Sequence, residues 1–251
     1  MRGDRLLIGQ HHQRAAHDLC SFILQGLCTS KSSRFCVGIA GESGSGKSET
    51  AAALVEVLKQ VGVPAVVIQQ DDYFFLPPRT NAKRRRQDLE WVGPQEVDLV
   101  RLDADAAAAR LGAASLEKPL VDYPANEVLN ESVDLTGILV VVIEGTYVML
   151  LNHLDLRIFI DRTVRETEEA RHRRDRESQN DSLRQVLKRE HKIISTHQCF
   201  ADILITKDYH VVLREDPVQE NTKLKESPAT AAMPTDSETE SDPDTPSRRG
   251  W

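Results

Sequence analysis

The chain has 251 residues, enough to bury one good core, with 40% hydrophobic and 28% charged residues, close to the average folded protein. A formal net charge of −7 counts against a duplex nucleic-acid binder. Cys20, Cys28, Cys36 and Cys199 lack metal spacing and are too scattered for a disulfide scaffold, so they read as reduced, mostly buried thiols.

The opening residues MRGDRLLIGQHH lack the apolar run of a signal peptide, and no stretch approaches the roughly 18 apolar residues of a membrane span. The expectation is a cytoplasmic protein without membrane or nucleic-acid partners. Arg2, Arg5 and Arg14 would suit an organelle transit peptide, but Asp4 and Asp18 would not. From Gln13 to Leu27, Ala16, Leu19, Cys20, Ile23 and Leu27 recur at helical spacing and predict an amphipathic helix within an N-terminal extension, residues 1–33.

Residues 34–214 read as one domain. Nearly continuous apolar runs at Phe35–Ala40, Val63–Ile68, Ile138–Ile143, Leu156–Ile160 and Ala201–Ile205 predict strands covered on both faces. The stretches Glu49–Gln60, Pro94–Leu111, Arg165–Glu177 and Leu183–Ser195 predict the covering helices. The fold class is therefore α/β, a doubly wound, mainly parallel sheet. Residues 215–251 turn to Pro, Ser, Thr, Asp and Glu, the composition of a disordered acidic tail. No internal repeat is present.

The run Gly41, Glu42, Ser43, Gly44, Ser45, Gly46, Lys47, Ser48 has the spacing of a phosphate-binding loop. It lies between a predicted strand and the helix that Glu49 opens. Its glycines let backbone amides turn inward around phosphates, Lys47 neutralises them, and Ser48 offers a hydroxyl to Mg²⁺. A guanine reader is absent: Ile205-Thr206-Lys207-Asp208 lacks the spacer residue of Asn-Lys-x-Asp. Two acids follow predicted strands, Asp71 in Gln70-Asp71-Asp72-Tyr73-Phe74-Phe75 and Glu144 in Glu144-Gly145. At strand tips one can take a proton from an attacking hydroxyl and the other can hold a metal ion.

This succession, followed by a basic segment and the late Ala201-Asp202-Ile203-Leu204-Ile205 strand, resembles the uridine kinase, nicotinamide riboside kinase and phosphoribulokinase group over about residues 34–210. The resemblance implies a P-loop fold and transfer of a phosphoryl group from ATP, with Mg²⁺, to a hydroxyl of a small-molecule acceptor. It implies Asp71 as general base, Ser48 and Glu144 as metal-side residues, Lys47 on the phosphates, and lid arginines, with Arg171 and Arg174 favoured because they share a helix face. Asp72, Tyr73, Trp91 and Tyr123 are the expected acceptor-side residues. A homo-oligomer is left open.

Three segments depart from that pattern. Gln179-Asn180-Asp181-Ser182 stands where uridine kinases carry further lid arginines, and Pro119-Leu120-Val121-Asp122-Tyr123-Pro124-Ala125-Asn126 lacks the base-reading residues. Trp91 is followed by Val92, which cannot accept hydrogen bonds from a ribose diol. Either Glu90 or Asp88 replaces that acceptor, or the substrate is not a nucleoside. The run Lys83-Arg84-Arg85-Arg86 reads as a solvated loop or as an attractor of an anionic acceptor. The readings that stay open are a nucleoside-like acceptor, a sugar phosphate, glycerate or pantothenate-like acceptor, a nucleotide-binding regulator without catalysis, and an ATPase coupled to a partner.

Overall fold

Apolar runs without polar alternation are satisfied only where both faces of a strand are covered. In the computed structural model, which describes residues 1–2, 6–163 and 181–214, those runs form a six-stranded sheet. The chain order is α1 (Gln10–Thr29), β1 (Phe35–Gly41), α2 (Lys47–Gln60), β2 (Ala65–Gln69), α3 (Pro78–Gln87), α4 (Leu99–Arg110), β3 (Ser115–Asp122), β4 (Glu127–Asp134), β5 (Val140–Glu144), β6 (Leu156–Ile160), α5 (Asp181–Ile194), β7 (Ile203–Ile205) and β8 (Val211–Leu213). The sheet order is β2-β5-β1-β6-β7-β8, parallel throughout except for the last strand. One compact unit spans Met1–Arg214, so α1 is a layer of it. The expected helix Arg165–Glu177 and the acidic tail fall outside the described residues.

Successive strand residues face opposite layers. Val37 and Ile39 of β1, Val140 and Val142 of β5, and Ile158 and Ile160 of β6 pack with Ala15, Leu19 and Ile23 of α1 and Leu54 and Leu58 of α2. Cys36 and Ala40, Val141 and Ile143, and Phe159 turn the other way, against Leu102, Ala106 and Ala109 of α4 and Ile194 of α5. Each fully buried leucine or isoleucine contributes about 1.5–3 kcal/mol, so α1 is held by its apolar stripe. Cys20 and Cys36 are buried; Cys28 and Cys199 are exposed, where burial was expected of most. Among the described residues no helix is long and apolar enough to cross a membrane.

Local chemistry moves several boundaries. Strand β2 starts at Ala65 because Val63 closes the preceding turn, its N–H donating to the Leu58 carbonyl at 2.9 Å. The helix expected from Pro94 starts at Leu99. Pro94–Glu96 is a separate 3-10 turn, and Asp98 caps α4 by accepting from the Arg101 N–H at 3.0 Å. Lys83 to Arg86, expected in a loop, lie in helix α3, which Pro78 opens at a position where the missing N–H costs nothing.

The hairpin β3–β4 pairs Ser115 with Asp134 through Asp122 with Glu127. It docks on the 3-10 turn Gln70–Tyr73 through Asp72, which is 1% exposed. Lys118 Nζ donates to Asp72 at 2.7 Å, the Val121 N–H donates to it at 2.9 Å, and the Met1 amino group lies 3.0 Å away. Lys118 also meets Glu131 at 2.6 Å, but Glu131 is the more exposed partner. Breaking a buried pair strands a charge, whereas an exposed pair is worth little. Asp72→Ala is expected to cost about 3 kcal/mol, the low end of the buried-pair range because Lys118 keeps Glu131, and Glu131→Gln under about 1 kcal/mol. Urea midpoints of the two variants check the ranking; equal losses would mean that Asp72 does not anchor the hairpin.

Candidate active site

The site lies where the parallel strands end. Strand β1 has β5 on one side and β6 on the other, so chain connections part beside it and leave a crevice at the carboxyl ends. Out of β1 comes the loop Gly41–Ser48, and α2 starts at Lys47, bringing the positive end of its dipole to the loop. Gly46 has φ 95°. A Cβ there would run into the Tyr209 hydroxyl and come within 2.8 Å of His12 Nε2, so the position demands glycine on conformation and on space.

Lys47 is buried, and its Nζ donates to the Glu42 carbonyl at 2.9 Å, curling over the loop. Glu42 Oε1 meets His191 Nδ1 at 2.5 Å, and Glu49 is buried in the first turn of α2. Ser45 Oγ is buried without a hydrogen-bond partner among the described residues, a hydroxyl that a phosphate oxygen would satisfy.

The loop is braced from behind. The Tyr209 hydroxyl donates to the Ser45 carbonyl at 2.8 Å and lies 3.1 Å from His12 Nε2, while Arg162 donates to it at 3.0 Å.

Register sets the acids. Glu144, the last residue of β5, lies across from Ile39 of β1 and Gln69 of β2. Its Oε1 accepts from Ser48 Oγ at 2.9 Å and from Gln69 Nε2 at 3.3 Å. Burial pushes the Glu144 carboxyl up to about 7, with the neighbouring Asp71 adding to the rise and Lys47 opposing it. Asp71, two residues beyond β2, is also raised, by burial first and by Asp72, again against Lys47. Two acids thus share one ammonium, a deficit of positive charge that a divalent cation would correct. Among the described residues no cluster of three or more His, Cys, Asp or Glu could cage a metal. Ser48 and Glu144 therefore fit an ion shared with phosphates, the usual manner of Mg²⁺.

Beyond Asp71 opens a cavity of about 100 Å³, lined among others by Phe74, Leu76, Asn81, Arg85 and Val121. The four expected acceptor-side residues do not line it. Asp72 is occupied by Lys118 and the hairpin. Tyr73 is buried, its hydroxyl donating to Asp105 at 2.7 Å. Trp91 supports the wall from behind, its Nε1 donating to Asn81 Oδ1 at 2.8 Å with Arg84 over its ring. Tyr123 sits at the hairpin turn. Arg171 and Arg174 lie outside the described residues.

Sequence reasoning passed over Asn81 and Glu96, and took Arg85 only as one member of a basic run. Glu96 is fully buried and accepts hydrogen bonds from Arg85 Nε and Nη2, at 2.6 and 2.7 Å, and from Asn81 Nδ2 at 3.0 Å. Arg85 is thereby neutralised, so the basic run does not present it to an anion.

The Phosphoribulokinase / Uridine kinase family model matches residues 36–200. The chain is 30% identical over 154 residues to a uridine kinase of Ureaplasma parvum serovar 3, covering 59% of this chain and 72% of that one. It is 27% identical over 189 residues to a bifunctional alpha-galactosidase/sucrose kinase of Mediterraneibacter gnavus, covering 70% of this chain but only 20% of that longer protein. Among solved structures, a D-glycerate 3-kinase from Cryptococcus neoformans superposes with a TM-score of 0.55 at 15% identity, over 78% of this chain and 97% of that one, a likeness of fold.

Gly46→Ala should weaken binding of a nucleoside triphosphate about tenfold or more, since a backbone strained at positive φ costs about 1–3 kcal/mol. Gly62, at φ 79°, has nothing within 4 Å of where a methyl would stand, so Gly62→Ala carries the conformational strain without the collision. Calorimetric titration of both variants distinguishes them; equal affinities would remove the Tyr209–His12 contact as the reason for glycine at 46.

Proposed function

Because the chain belongs to the phosphoribulokinase and uridine kinase family, we propose that it transfers the terminal phosphoryl group of ATP to a hydroxyl of a small metabolite bound beside Asp71. The observation that carries this reading is the position of Asp71, between the charge of Lys47 on the phosphate loop and the cavity. Phosphoryl transfer to a hydroxyl is helped by a group at such a boundary that can take the hydroxyl's proton.

Asp71 takes the acceptor hydroxyl's proton as the oxygen bonds to phosphorus and the bond to the bridging oxygen breaks, releasing ADP. A carboxyl raised above its usual range is a better base near neutral pH than an ordinary aspartate. Loop amides and Lys47 Nζ hold the phosphates, and the dipole of α2 favours their charge. Ser48 and Glu144 are the residues that would hold Mg²⁺, whose charge when bound offsets that of the phosphates. The walls of Phe74, Leu76 and Val121 keep water from competing as acceptor. Arg171 and Arg174 remain proposed lid residues, closing over the transferring group.

The acceptor is proposed to be a nucleoside-like or other polyhydroxyl metabolite. Support comes from relatives whose names specify uridine and sucrose, both uncharged polyols.

Asp71→Asn should leave ATP affinity within about twofold and lower kcat by about 10² or more, the usual contribution of a positioned base. Consumption of ATP with Mg²⁺ is to be followed across nucleosides, sugars, sugar phosphates, glycerate and pantothenate, with Lys47→Ala as blank. Undiminished turnover in Asp71→Asn would remove it as base. Lys47-independent consumption would refute the assignment of the activity to this site.

A further inference from the structure

The phosphate loop carries an acid where a polyanion is to sit. Glu42 is the second residue of Gly41–Ser48, and its side chain is only 6% exposed. A buried carboxylate is costly unless it is paired, and near phosphates it also repels the ligand. Lys47 offers it little relief: Asp71 and Glu144 already draw on that charge, and Lys47 reaches Glu42 through the backbone carbonyl. Glu190, a buried acid near Glu42, adds negative charge rather than removing it.

Among the described residues Glu42 has one side-chain partner. Its Oε1 meets Nδ1 of His191 at 2.5 Å, across 149 positions of chain, while its Oε2 is buried without a hydrogen bond. Both atoms of the contact carry lone pairs, so a proton must lie between them. The His191 ring is half-exposed and can take a second proton from water, after which the pair carries no net charge.

Helix α5 delivers that ring from a fixed position. Val186, Leu187 and Ile194 are buried, and Arg189 holds Glu90 at 2.8 and 2.7 Å and the Val92 carbonyl at 3.2 Å. Glu42 is equally held, its carbonyl accepting from the Ser45 N–H at 3.1 Å as well as from Lys47. The contact therefore joins two ordered elements.

We propose that His191 is a positioning residue of the nucleotide site, taking up the charge of Glu42 so that the loop can accept the phosphates of a nucleoside triphosphate. Phosphate affinity then depends on α5 being docked, a requirement that the loop motif alone does not impose. The inference rests on the reading of Gly41–Ser48 as the nucleotide site and adds to it a residue outside the motif.

Calorimetric titration with ATP and Mg²⁺ tests it on the wild type, His191→Ala, His191→Gln and the double variant His191→Ala/Glu42→Gln, with Lys47→Ala as control. His191→Ala should weaken ATP about tenfold or more, the scale of one uncompensated charge near the phosphates at a protein's effective dielectric. His191→Gln keeps a donor for Glu42 but no charge, so it should fold even if the alanine variant does not, and should weaken ATP by a smaller factor. The double variant strands no charge and should recover most of the loss, a recovery that a merely structural role of His191 would not give. Wild-type affinity in both single variants, or no recovery in the double variant, overturns the inference and leaves the kinase reading intact. ATP binding by Lys47→Ala as tight as that of the wild type overturns both.

Discussion

Two carboxyl groups at the tips of adjacent strands share a single lysine, and the rest of the molecule is arranged to keep them there. Burial raises the proton affinity of both, Asp71 adds to the rise of Glu144 and Asp72 to that of Asp71, and Lys47 lowers both. In water such acids would separate and hydrate. Here they cannot, because Glu144 ends a strand of four fully buried aliphatic residues and is registered against β1 and β2. The apolar strands do more than fill a core: they hold an unfavourable charge arrangement in place so that phosphate and metal binding relieve it.

The acceptor side is organised by a different carboxyl. Glu96 gathers Arg85, Asn81, the Gly93 N–H and the Tyr147 hydroxyl. That network stiffens the cavity wall and satisfies the arginine that the basic run would otherwise offer to an anion. Of the basic run, Arg85 is therefore part of the scaffold, while Lys83, Arg84 and Arg86 are exposed. A cation counts toward recognition only when its charge is not already met.

What was legible followed from local rules. The phosphate loop is a fixed string of residues, continuous apolar runs marked the five parallel strands, and apolar residues at helical spacing marked the first helix. The hairpin was not legible: β3 carries Pro119, which demotes a strand, and β4 is exposed along nearly its whole length, so no apolar alternation marks it. Helix α3 was hidden for a related reason, since only Asn81 of its residues is buried.

That Asp72 and Tyr73 do not line the cavity has a geometric cause. Gln70 to Tyr73 form a 3-10 turn, in which successive side chains rotate by about 120°. Asp71 faces the cleft while Asp72 and Tyr73 turn toward the hairpin and the core.

The Tyr209 hydroxyl ties together parts of the chain that the family match, residues 36–200, leaves out. It joins the phosphate loop at Ser45 to His12 in the first turn of α1, and Tyr209 itself lies in the turn before β8. Thermodynamic linkage then runs both ways: whatever free energy a nucleotide gains from a better-ordered loop, the same amount is added to the docking of the N-terminal helix. Sequence drift in α1, remote from any reacting atom, is thereby exposed to selection through ligand affinity.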